Sequence, residues 1–236
     1  MLTAYLDESG HEGKELVILA GFLGTEEQWE KCESAWRSGL GKRKHLHMRK
    51  LRWSSRPEHL KSLLSTLGPI PHASGLQAVF SAVKVADYED LVDGTVMQKL
   101  MKGYHITLLG VIDIIAKNIP ADETFKLVLE AQDTYEVQAK SIFKATDSNR
   151  TPDGRRKLVS LDYIGKSILT EPADYLAYAL LQLHLDRKSM KSEFCTPILK
   201  NTRPALARDH LAEKDKLRQF VEGMVEKHPN LMRSAT

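Results

Sequence analysis

Cysteine is scarce. Cys32 and Cys195 are the 2 thiols of the chain and stand far apart, which excludes a disulfide framework and a four-thiolate zinc site. No sign of charge dominates: 34 Lys and Arg face 31 Asp and Glu, for a net charge of +3, so charge placement rather than a global field must decide for or against a nucleic-acid partner. Long hydrophobic runs are missing too. The most apolar stretch, ITLLGVIDIIA (106–116), contains an acid and is too short to cross a bilayer. The opening MLTAYLDES has no basic segment followed by an apolar core, so no signal peptide is expected. These absences predict a cytoplasmic protein without a membrane partner.

Several catalytic signatures are also absent. GLGKRK (39–44) lacks the hydroxyl residue after Gly-Lys and the earlier glycine of a phosphate loop. No G-x-S-x-G or H-E-x-x-H occurs, and Ser9 has no identifiable base. What remains is ordinary globular usage, 42% hydrophobic in 236 residues, enough for one large domain with a real core.

The patterning predicts an α/β domain. LTAYLD (2–7) and ELVILAGFLG (15–24) read as strands joined by the loop ESGHEGK, the second apolar enough to be covered on both faces. Thr25 with Gln28 forms a capping box that starts a helix over 25–36. A basic connector (41–53) precedes a helix over 54–67, with Ser55 as N-cap and Pro57 in its first turn. Residues 75–86 read as a third strand. The apolar positions 97, 100, 101, 104, 108, 111, 112 and 115 predict one long helix from Val96 to Ile115. A fourth strand (125–132), a helix (134–146), a fifth strand (157–164) and an apolar helix (171–185) with Pro172 in its first turn follow. The charged tail is expected to be helical around 205–227. The expected architecture is thus a mixed sheet flanked by helices over 1–186, with a helical, basic insertion (25–74) between the second and third strands. A helical extension (187–236) is expected to pack on the same domain.

Three acids stand where acids are costly. Asp7 ends the first strand, Glu130 follows KLVL at the end of the fourth, and Asp174 lies in the first turn of the apolar helix. Strand ends and helix N-termini converge along one edge of an α/β sheet, so these carboxylates can meet there. Clustered carboxylates repel, and a hard divalent cation such as magnesium is their usual remedy. Two such ions promote phosphodiester hydrolysis by activating water and stabilising the leaving oxygen. Each acid also has a plain reading: Asp7 as a turn residue, Asp174 as an answer to the helix dipole, Glu130 as an exposed strand end. Asp133 competes with Glu130, and Glu8 is a reserve that faces away from Asp7 if the strand continues. Asp162 can face either way on its strand, and Asp113 reads as solvated or paired.

The connector carries Lys42, Arg43, Lys44, Arg49, Lys50 and Arg52, interleaved with His45 and His47 and ending at Trp53. Such a patch suits phosphate backbones, with Trp53 available to stack on a base, although a solvated loop has the same composition. His45 and His47 have zinc-ligand spacing but no further ligand set. A second basic stretch, Arg150 to Lys157, either joins this surface or forms a loop.

YLDESG, GFLGTEEQW, HLHMRKLR, a strand ending in an acid, and EPADYLAYAL together resemble a bacterial family known as domain of unknown function (DUF) 3800, over most of residues 3 to 186. That family is similar to the ribonuclease H-like superfamily. The resemblance implies divalent-ion ligands on the first strand, the fourth strand and the final helix, which fall on Asp7, Glu130 and Asp174. It also implies a family histidine, which His47 fits through the spacing of HMRKL. Two positions depart from the family pattern: Glu130 where an aspartate is expected, and E-P-A-D in place of Q-L-A-D. The expectation is a Mg2+- or Mn2+-dependent phosphodiester hydrolase acting on nucleic acid, with His47 as acid/base or phosphate contact. The competing expectations are a non-catalytic nucleic-acid- or partner-binding module of a defence or mobile-element system, and a hydrolase of small phosphorylated molecules. A protein partner or a homo-oligomer is compatible with each.

Overall fold

The computed structural model describes residues 1–10, 15–131, 136–145, 150–186, 188–202, 206–208, 213–227 and 229–234. The chain begins with β1 (Leu2–Ser9), β2 (Leu16–Gly24) and α1 (Glu26–Leu40), the last opened by the reciprocal Thr25–Gln28 capping box. Next come α2 (Pro57–Leu67), the single turn α3 (Ile70–Ala73), β3 (Gln77–Lys84), α4 (Val85–Val92), α5 (Val96–Leu100) and α6 (Gly103–Asn118). The second half holds β4 (Phe125–Glu130), α7 (Glu136–Ala145), β5 (Leu158–Ile164), α8 (Glu171–Leu185), α9 (Met190–Lys200), β6 (Leu206–Arg208) and α10 (Lys214–Lys227).

Five strands form an open mixed sheet in the order β5-β4-β1-β2-β3, and the short β6 adds to the outer edge of β3. β1, β2 and β3 run antiparallel in sequence, whereas β4 is parallel to β1 and β5 to β4. β2 is buried along its whole length, which is why its sequence is almost free of polar residues.

Strand alternation sends residues to two cores. Tyr5, Ile18, Ala20, Phe22 and Ala82 face a layer that includes Trp29 and Trp36 of α1, Leu64 of α2, Tyr175 of α8 and Phe194 of α9. Leu6, Leu19, Leu127 and Leu129 face α6 on the other side. Two indole N–H groups tie the first layer together: Trp29 donates to the carbonyl of Thr3 at 2.9 Å, and Trp36 to Oε2 of Glu171 at 2.8 Å. Among the described residues no helix is long and apolar enough to cross a membrane.

The structure departs from the sequence reading at several places. β1 continues through Glu8 and Ser9, so DES belongs to the strand, and Gly10 follows it with φ +91°. A Cβ at Gly10 would lie 2.1 Å from the carbonyl oxygen of Leu16, so only glycine fits there. Residues 85 and 86 begin α4 rather than ending β3.

The helix expected over 96–115 is two helices. Met101 is extended, the Lys102 N–H is satisfied by His105 Nδ1 at 2.9 Å, and Gly103 opens α6, so apolar periodicity runs on across a capped break. α2 is preceded by Arg56 rather than capped by Ser55: Pro57 occupies its first turn, and a residue before proline is disfavoured in the right-handed helical region. In the tail, residues 206–208 pair with Val79–Ser81 as a strand, and the helix starts only at Lys214.

The second basic stretch does not join the connector. It precedes β5, at the opposite end of the sheet from Glu130. Lys157 is turned inward, its Nζ donating to the carbonyls of Ala116 at 2.8 Å and Pro120 at 3.3 Å just beyond the end of α6. An ammonium there answers the negative end of the helix and satisfies orphan carbonyls. Lys157→Met keeps the aliphatic stem but strands these acceptors, and is expected to cost about 1–3 kcal/mol in urea unfolding.

Candidate carboxylate site at the strand ends

β1 and β4 are parallel and paired in register from Leu2 with Phe125 to Leu6 with Leu129. The next residues along the two strands are Asp7 and Glu130, which therefore emerge side by side at the same edge of the sheet. Asp7 pairs across the other side with Ala20, on the face covered by α8. Glu130 is half-buried and lines a cleft of about 330 Å³ with His47, Glu171 and Asp174.

Asp7, next to Glu130 in the strand register, is buried at 8% exposure. Burial pushes its carboxyl well above the ordinary carboxylate range, and the charges of Glu8, Asp174 and Glu130 push it further. Against them stands the backbone N–H of Glu8, which donates to Asp7 Oδ1 at 2.9 Å. Glu8 is raised in turn, first by burial, with smaller upward pushes from Glu130 and Asp174, while a hydrogen bond with the Asp7 carboxyl opposes the shift. Two carboxyl groups can share a hydrogen bond only if one keeps its proton. By alternation Glu8 lies opposite Leu19, on the α6 face, where the hydroxyls of Tyr104 and Tyr163 are 3.3 Å apart.

The first turn of α8 supplies two further acids on one helix face, Glu171 and Asp174, three residues apart. The extended connector meets them in step. His45 Nδ1 lies 3.0 Å from Glu171 Oε1, and His47 Nδ1 lies 3.1 Å from Asp174 Oδ2. The backbone N–H of Met48 donates to the same Asp174 oxygen at 2.8 Å. With Asp174 as a carboxylate, which only accepts, Nδ1 of His47 is the donor in this hydrogen bond.

The structure thus gathers Asp7, Glu130, Asp174 and His47 at one end of the sheet, with Glu8 beside Asp7. The donor chemistry fits a hard divalent cation, because all four acids offer oxygen and the neighbouring charges that act on Asp7 are carboxylates that repel it. The donors are not preassembled: among the described residues no group of three or more His, Cys, Asp or Glu side chains is placed to hold a metal ion.

Asp133 lies outside the described residues. Asp162 is exposed and accepts from Ser160 at 2.9 Å, and Asp113 pairs with Lys117 at 3.0 Å, both away from the cleft. Of the connector cations, Arg43 and Lys50 line the cleft, while Lys42, Lys44, Arg49 and Arg52 are exposed elsewhere on the segment. Trp53 is not available to a base. It is buried at 8% exposure and stacks on Tyr178 with ring centroids 5.6 Å apart.

Sequence reasoning passed over Glu171. Its signal was present in EPAD, an acid one helical turn from Asp174 at the start of an apolar helix, but its partners Trp36 and His45 are too distant in sequence to be paired with it by spacing. Lys166, Ser167 and Thr170 of the loop before α8 also line the cleft. No protein-family model matches the chain, and no curated protein matches it.

Proposed function

We propose that the protein is a divalent-metal-dependent phosphodiester hydrolase, a nuclease of ribonuclease H-like fold related to the DUF 3800 family. The observation that carries this reading is Asp7: a buried carboxylate whose charge is opposed by burial and by three neighbouring carboxylates, at the meeting point of β1, β4 and α8. Such an arrangement is costly to a fold and is characteristic of functional sites. The strand order β5-β4-β1-β2-β3, with β2 antiparallel to both neighbours, supports the superfamily assignment, as do the YLDESG and EPADYLAYAL motifs.

Asp7, Glu130 and Asp174 would hold Mg2+ or Mn2+, with Glu8 in reserve, after the carboxylates turn towards one another. When bound, the ion would activate water and neutralise charge on the scissile phosphate. Arg43 and Lys50 hold the substrate phosphates at the mouth of the cleft. His47, oriented through Nδ1 by Asp174, moves a proton at Nε2.

The test combines melting and cleavage. A ligand bound only by the folded state raises stability by mass action, about 2.7 kcal/mol at a hundred times its Kd. Saturating Mg2+ or Mn2+ is therefore expected to raise Tm relative to EDTA, and to support cleavage of labelled DNA or RNA that EDTA abolishes. No shift and no cleavage under either ion would replace this reading with that of a non-catalytic binding module. Cleavage confined to nucleotides would favour a small-molecule hydrolase.

A further inference from the structure

A second depression, of about 480 Å³, lies beside the carboxylate cleft. Its lining includes Arg43, Lys50 and Arg52 from the connector, and Arg56 and His59 from the start of α2. Among the described residues, no acidic side chain lines it. Among the same residues, none of Arg43, Lys50, Arg52 and Arg56 forms an ion pair with a carboxylate. Cations held together without a counter-charge repel one another, and a polyanion is the ligand that relieves them.

The groove is built rather than incidental. Its apolar floor is Leu51 and the buried Leu60, and the connector is pinned behind it by Trp53, stacked on Tyr178 and tilted against Phe194. The chain then turns through Arg56, at φ 86° and ψ 59°, the single described residue other than glycine with positive φ. Arginine gains nothing from that backbone region, where glycine is at ease. Strain of this kind gathers at functional positions, and here the strained residue contributes a guanidinium to the groove.

Arg43, Lys50 and Leu51 belong to both depressions, so the two are continuous across a shared wall. We infer that the groove is a phosphate-backbone subsite, and that the substrate is a polynucleotide strand running from the carboxylate cleft over Arg43 and Lys50 to Arg52, Arg56 and His59. The assignment of a cleaved substrate rests on the hydrolase reading above; the binding of the strand by the groove does not. The basic connector is thereby divided, since Arg52 serves the groove with Arg56 and His59, whereas Lys42 and Lys44 line neither depression.

The experiment is fluorescence anisotropy of a labelled 20-nucleotide single strand with the full chain in EDTA, where cleavage plays no part. Each phosphate of a single strand that a cation no longer neutralises lowers the slope of log K against log salt by about 0.7. Arg52→Gln with Arg56→Gln is expected to weaken binding at least tenfold at moderate salt and to flatten the slope by about 1.4. A second variant, Arg56→Gly, relieves the backbone and removes the guanidinium together. It is expected to bind more weakly while its Tm stays level or rises, a combination that a merely structural arginine would not give. Wild-type affinity and slope in the double variant would overturn the inference, as would equal competition by a mononucleotide or by poly-glutamate. If the variants bind as wild type while the ion-dependent cleavage persists, the groove assignment alone fails. If the strand is bound through the groove but never cleaved, the hydrolase reading alone fails.

Discussion

Asp7→Asn is expected to lower ion-dependent cleavage by about 10³-fold or more, the equivalent of some 4 kcal/mol of transition-state stabilisation, while making the metal-free protein more stable. The two effects have one origin. Asparagine keeps the size of the side chain and an oxygen for the Glu8 N–H, but removes the charge that burial and three carboxylates oppose. In wild type the ordinary carboxyl value is 3.8 and the folded value lies well above it. Between these the folded state binds more protons than the unfolded state, so stability falls as pH rises through that window. Glu8, raised from 4.5, adds a slope of the same sign. Metal-free wild type should therefore melt lower at pH 7 than at mildly acidic pH on account of this pair. Asp7→Asn should lose much of that dependence and melt higher at pH 7. Each kcal/mol relieved raises Tm by about 2–4 °C in a chain of this size. Calorimetry in EDTA across pH, beside a cleavage assay in Mn2+, reads both. An Asn variant that cleaves at the wild-type rate would remove Asp7 from the site, and one that melts lower would show that its charge is compensated in the fold.

The sheet was readable because its signals are local. β2 declares itself by nine residues without charge, α1 by a capping box, and α8 by a proline in the first turn of an apolar helix. Asp7, Glu130 and Asp174 could be selected because each adjoins an apolar run, the first two towards the end of a strand and the third where a helix begins. What escaped depends on contacts distant in sequence or on backbone geometry that residue types do not announce. The periodic pattern from 97 to 115 is blind to the Lys102–His105 cap that divides it. Trp53 reads as an exposed aromatic in a basic segment until Tyr178, far along the chain, is placed beneath it. Glu171 requires both Trp36 and His45 in space before it differs from any first-turn acid. The left-handed backbone at Arg56, where a helix cap at Ser55 was expected, is likewise not announced by residue type.

Asp174 is the residue at which holding an ion and holding the fold can be separated, because its Oδ2 takes the His47 ring and the Met48 N–H together. Asp174→Ala strands the N–H of Met48, a residue at 0% exposure, and releases the ring. Loss of that acceptor is expected to cost about 1–3 kcal/mol along with cleavage. Asp174→Asn keeps an acceptor for both donors and removes only the charge, so it is expected to melt near wild type yet cleave about 10²–10⁴-fold more slowly. His47→Gln should fall in the same range, as removal of an acid/base group does, and should flatten the pH–rate profile. The discriminating comparison is between the two Asp174 variants. If Ala and Asn lose cleavage equally but differ in melting, the charge of Asp174 serves the ion and its hydrogen bonds serve the connector. If Asn retains the wild-type rate, Asp174 is a positioning residue for His47 alone, and the ion must be held by Asp7 and Glu130 without it.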